Sequence, residues 1–169
     1  MSNFDVSSYN RQGKAFATAN QAAKATTALS TTATGLILYN PWGSGKRLIL
    51  VDARFVYSTI PAAAGAVMLS MPATVSSAAT PLGTAEPIRS ASGGAASGHV
   101  ARAFTIATLP VVNVYIAPIT VVEIATQSGS PVPIPEGGFH IIPGTYAHFS
   151  HITTVATGIG SCLWVEVPE

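Results

Sequence analysis

The chain has 169 residues and a formal charge of +1, and only 9% of its residues are charged, far below the roughly 25% of an ordinary globular domain. A charge of +1 gives no basic field for nucleic acid, and an apolar content of 48% rules out a disordered, solvating chain. The length suits one domain, and 15 Val and 13 Ile against 9 Leu favour pleated sheet over helix.

Residues 1–33 carry Asn, Gln, Ala and Thr, with no Leu or Ile before Leu29, and read as an extended N-terminal arm or swapped strand. An Ala-rich helix over 14–29 is the rival reading, weakened by Thr18, Thr26 and Thr27. From residue 34 the pattern becomes short β-rich runs separated by turn residues, the spacing of a sandwich. The expected strands are 35–40, 46–58, 66–71, 100–108, 111–116, 120–125, 139–142, 146–155 and 161–167. The turn Pro41-Trp42-Gly43-Ser44-Gly45 should join the first two as a hairpin. Between 72 and 99 lies a Ser/Thr/Ala/Gly stretch that is either a functional loop or hides an edge strand near 84–89. The fold class is therefore an all-β antiparallel sandwich spanning 34–169, preceded by the arm. No stretch of about 18 unbroken apolar residues exists to span a membrane. The first residues lack the basic and apolar regions of a signal peptide.

Alternation assigns faces. In the second strand Ile49, Val51, Ala53, Phe55 and Tyr57 form the core side. Leu48, Leu50, Asp52, Arg54 and Val56 then face outward, an apolar side that water does not suit. In the last strand Cys162, Trp164 and Glu166 oppose Leu163, Val165 and Val167, which makes Trp164 and Glu166 candidates for the same contact. The expected oligomer and partner interface is thus Leu48, Leu50, Asp52, Arg54, Val56, Trp164 and Glu166. A bulge that shifts the face by one residue is the competing explanation.

Motifs for chemistry are thin. Gly43-Ser44-Gly45-Lys46 lacks the first Gly and the final Ser/Thr of a phosphate loop, having Asn40 and Arg47 there, and leads into a strand. His148 and His151, three apart on a strand, point to opposite faces; with His99 and His140 they are expected as surface or partly buried imidazoles titrating near pH 6. Cys162 cannot form an intrachain bridge and reads as a buried inert thiol. No catalytic, cofactor or metal residue is assigned; a carboxylate pair among Asp52, Glu123, Glu136 and Glu166 stays open because spatial separation defines such a pair.

Three segments together resemble small structural proteins of tailed bacteriophages: Thr34-Gly35-Leu36-Ile37-Leu38-Tyr39-Asn40-Pro41 with Gly43-Ser44-Gly45-Lys46, Ile142-Pro143-Gly144-Thr145, and Trp164-Val165-Glu166-Val167-Pro168. The chain is most similar in this respect to the β-sandwich capsid decoration, or cement, proteins. That resemblance implies a homotrimeric jelly roll on the outer capsid surface, made in the host cytoplasm. It would clamp major capsid protein subunits where they meet, with no enzyme activity, cofactor, nucleic-acid partner or membrane. Two alternatives remain: a tail-fibre or receptor-binding head domain, and an enzyme or small-ligand jelly roll of the cupin type, whose metal-ligating His-x-His pair this sequence lacks.

Overall fold

A computed structural model describes residues 5–59, 63–73, 80–81, 83, 85–111, 113–122, 130–135, 137–152 and 156–169. These residues form two packed antiparallel sheets, an all-β sandwich. One short helix, α1 (Val6–Arg11), precedes β1 (Ala15–Ala19), β2 (Lys24–Thr26), β3 (Thr32–Asn40), β4 (Lys46–Tyr57) and β5 (Gly65–Pro72). Then come β6 (Thr80–Pro81), β7 (Ile88–Ser90), β8 (Arg102–Thr108), β9 (Asn113–Val122) and β10 (Ser130–Pro131). The chain closes with β11 (Phe139–Ile141), β12 (Thr145–His151) and β13 (Ala156–Pro168).

Sheet A runs β11-β4-β13-β1-β7, with β2 also paired to β13; sheet B runs β10-β9-β5-β12-β3-β8-β6. Three pairings nest: β3 with β12, β4 with β11, and β5 with β9, all antiparallel. A ribbon folded back on itself and rolled into two sheets gives this order, the winding of a jelly roll. The core lies between the sheets. Leu48, Leu50, Phe55 and Trp164 from sheet A meet Leu36, Leu38, Leu69 and Phe149 from sheet B.

Three expectations change. The segment read as an extended arm or swapped strand instead supplies an interior strand of its own chain's sheet: β1 pairs with β13 from Ala15↔Val165 to Ala19↔Ser161 and with β7 on its other side. Phe16 is its one large inward side chain, 6.1 Å from the Trp164 ring centre. Asn20 ties the strand's end down, its amide donating to the Gly158 carbonyl and its oxygen accepting from Gly160 N–H. Small side chains hid the strand, because most of what holds β1 is backbone hydrogen bonding, which composition does not report. The rival helix over 14–29 is likewise replaced by β1 and β2.

Second, β3 and β4 are not a hairpin. They lie in different sheets, and residues 41–45 carry the chain across the end of the sandwich. Asn40 makes the corner: its amide donates to the carbonyls of Lys46 and Ile141, both at 2.8 Å, and its side-chain oxygen accepts from Ser44 Oγ.

Third, the faces of β4 switch. Leu163 pairs with Asp52 but Trp164 pairs with Leu50, so Val51 is an extra residue, a bulge. Before it Leu48 and Leu50 point inward; after it Ala53 and Phe55 do. A strict period of two cannot track such a step.

Other boundaries follow the sequence more closely. The expected strands 111–116 and 120–125 are one strand, β9, with Pro118 inside it, although Val112 and residues 123–125 lie outside the described residues. Pro118 is tolerated because β9 has β5 on one side, and β10 covers the other side only at Thr120 and Val121. The 72–99 stretch does hold an edge strand, β7, placed slightly later than expected.

Candidate functional site

Both faces of sheet A are used, differently along their length. At one end of the outer face, Ala15, Ile49 and Val165 form a small buried cluster against which Tyr9 of α1 packs. The helix is started by Asp5, whose carboxylate accepts from the Ser7 hydroxyl and N–H and is held below the usual carboxylate range by those bonds. It is six residues long and covers only that end.

Beyond the bulge no described residue covers the outer face. Its cross-strand rows follow from the pairing. The first runs Asp52–Leu163–Ala17–Arg89 across β4, β13, β1 and β7. The second is Arg54–Ser161–Ala19, and the third is Val56–Ile159. Small residues form a shallow groove floor between the charged rims, with Gln21 and Pro87 at its border. Val56 is 68% exposed and Ile159 42%, so this cross-strand pair presents an uncovered apolar step. Arg54 Nε lies 2.8 Å from Asp52 Oδ2, an ion pair. Arg89 has no ion-pair partner among the described residues.

The seven residues expected at an interface therefore separate. Asp52, Arg54 and Val56 share this bare face. Leu48, Leu50 and Trp164 do not: each is fully buried in the chain's own core. The bulge removes the reason for placing them outside. Glu166 is buried too, and it holds a loop rather than a partner. Its carboxylate accepts from Lys46 Nζ at 3.0 Å and from the N–H groups of Val100 and Ala101. Lys46 also donates to the Gly98 carbonyl at 2.7 Å, so one ion pair pins residues 98–101 to the end of sheet A. This is the role of the Lys in the sequence's phosphate-loop look-alike.

The histidines do not converge. His140 is exposed on β11, and His99 lies edge-on to Phe16 with Nδ1 facing the Ala101 carbonyl. His148 is wholly buried on the outer side of sheet B. Its Nε2 lies 3.2 Å from the Thr34 carbonyl, which can only accept, so Nε2 carries the proton. Burial drives its pKa down to about 4, far from the expected pH 6. His151 is buried beside Tyr57, and burial lowers its pKa as well. Ser70 Oγ donates to the His148 carbonyl and receives the Asn113 amide. This Ser–His contact has no exposed atom to offer a substrate.

Cys162 is buried, as expected, and burial followed by the nearby Asp52 charge pushes its thiol pKa upward. Asp52 and Glu166 lie on opposite faces of sheet A and form no acid–base pair; Glu123 and Glu136 lie outside the described residues. Among the described residues no group of three or more His, Cys, Asp or Glu is placed to hold a metal ion. No helix among them is long and apolar enough to cross a membrane.

Sequence reasoning also missed an exposed ring. Trp42 is 68% exposed at the corner between β3 and β4, and its ring lies over Gly144. A Cβ at Gly144 would fall inside the indole, and its φ of +81° also favours glycine. The Pro-Gly turn and the Trp were each visible, but their contact spans two strands.

No protein-family model, curated protein or solved structure matches the chain, so the reading of this face rests on its own geometry.

Proposed function

We propose that the chain is a non-enzymatic structural subunit of a tailed bacteriophage, one that decorates and stabilises the outer capsid surface. Three copies form the working unit and contact major capsid protein where its subunits meet. One observation carries the reading: the described residues leave half of an outer sheet face uncapped, with Val56 and Ile159 exposed and Leu163 only half covered. An antiparallel sandwich that works alone turns a polar face to water. The low charge content supports the same reading, since adhesion by many copies needs contact area rather than a strong field. Electron microscopy of purified shells incubated with the protein tests it. Added density at sites between capsid subunits is the expected result; bare shells at saturating protein overturn the proposal.

Trp42 favours a second reading, a receptor-binding head domain of a tail fibre. An exposed indole braced from behind by Gly144 offers a flat surface on which a sugar ring can stack. Retention on host cells that is lost in Trp42→Ala supports this reading, and retention unchanged by that substitution removes it.

A further inference from the structure

The bare half of sheet A carries a charge pattern that is its own complement. In the row Asp52–Leu163–Ala17–Arg89 the acid and the base stand at opposite ends. Three inter-strand steps of about 4.8 Å put them about 14 Å apart. Consider a second copy laid face to face, related by a two-fold axis parallel to the strands and passing between β13 and β1. That axis exchanges the two ends of the row. Asp52 of each copy then faces the other's Arg89, and Leu163 of each faces the other's Ala17.

The groups at the rim are free to do this. Arg54 engages Asp52 through Oδ2, leaving Oδ1 without a partner among the described residues. The nearby Glu86 carboxylate accepts from the Gln21 N–H at 3.1 Å, whereas Arg89 forms no ion pair among the described residues. An acidic partner of another kind would meet Asp52 as a repulsive charge, and a basic one would meet Arg54 and Arg89. A second copy satisfies both ends at once. The apolar floor supplies the area: Leu163 and the alanines at the centre, with Val56 and Ile159 one step beyond Arg54 and Ser161.

We infer that this face is a two-fold contact between copies of the chain, set in register by reciprocal Asp52–Arg89 ion pairs. The inference rests on reading the bare face as an assembly surface, not on the capsid role. Rows about 14 Å across and about 7 Å apart along the strands make a patch of roughly 200 Å², small beside the roughly 800 Å² per partner of a standard stable interface, so the contact is weak in solution. It acts together with other contacts in a larger assembly. A two-fold contact is also distinct from a three-fold one, and would join neighbouring trimers.

Charge exchange tests it on the purified full chain. Arg89→Glu faces Asp52 of its own kind with a second acid, and Asp52→Lys faces Arg89 with a second base, so each variant alone makes two repulsive contacts. In a mixed pair both contacts are attractive: Asp52 with Arg89, and the introduced Lys with the introduced Glu. Sedimentation velocity at rising concentration should show wild-type self-association that weakens with added salt. Each single variant should associate about tenfold or more weakly, and an equimolar mixture of the two should recover the wild-type value. Wild-type protein that stays monomeric at every concentration overturns the inference, and so does a mixture no stronger than the single variants. Neither result decides whether the protein binds shells, because no shell is present; a strictly monomeric wild type would also remove the three-copy unit, whereas a mixture no stronger than the single variants removes the two-fold contact alone.

Discussion

The Lys46 ammonium lies 3.0 Å from a Glu166 carboxylate whose side chain is only 1% exposed, while the lysine side chain is 34% exposed. The two partners are therefore unequal. Removing the acid strands the hydrogen-bond donors of Val100 and Ala101 and the loop they belong to. Removing the base leaves a buried carboxylate that still has three backbone contacts.

Glu166→Ala should destabilise the fold by about 3–5 kcal/mol, the range for breaking a buried pair from its less exposed side. Lys46→Met should cost less, about 1–3 kcal/mol, because backbone donors continue to satisfy the acid. Urea unfolding of both variants checks the order; equal losses would mean that the loop is held by other contacts.

Trp164 should report a sealed core in a single folded copy. With Trp42→Phe removing the exposed indole, the remaining emission should be blue-shifted and protected from acrylamide even at the lowest protein concentrations. Protection that develops only as concentration rises would return Trp164 to an interface. Trp164→Ala should cost about 3–5 kcal/mol and broaden or abolish the unfolding transition rather than dissociate an oligomer.

His148 links stability to acid. Its pKa falls from 6.5 to about 4 on folding, so between those values the unfolded chain binds the proton and the native chain does not. The stabilising contribution is complete above pH 6.5, declines as pH falls toward 4, and is level below that. The full difference is about 3 kcal/mol for this one group. His148→Gln should flatten the pH dependence of the unfolding midpoint across that window, whatever it does to stability at neutral pH. An unchanged slope would place the acid sensitivity elsewhere.

Gly144 should not accept a side chain. Gly144→Ala adds left-handed backbone strain of about 1–2 kcal/mol and displaces Trp42 from its seat. Because Trp42 is largely exposed, it can swing outward, so a moderate loss of stability should accompany a red shift in its emission. A variant with wild-type emission would mean that the indole does not rest there in solution.

Most strands are legible because 28 Val and Ile residues fall in short runs bounded by Gly and Pro. The sidedness of those runs is less so. One bulged residue, Val51, turns Leu48 and Leu50 from expected surface into core, and the assignment of Trp164 turns over with them. Of the interface expected from alternation, the part C-terminal to the bulge stays outside, at Asp52, Arg54 and Val56, while the part N-terminal to it does not. The opposing Arg89 could not be found by pattern, because a three-residue edge strand inside a Ser/Gly stretch has no periodicity to read. Nor could the burial of Glu166, which depends on a loop that returns from sequence more than sixty residues earlier.

The place of β13 in sheet A bears on how the molecule is made. It is zipped along one edge to β4 and along the other to β1 and β2, strands that leave the ribosome about a hundred residues before it. Until Ala156–Pro168 has been synthesised, β1 and β4 have nothing between them, and Phe16 and Leu50 lack their shared wall. The N-terminal third must wait with its edges open, so closure is a late, long-range event and folding is expected to be slow. A nascent chain stalled short of residue 156 would be sticky and protease-sensitive, whatever the order of its earlier strands.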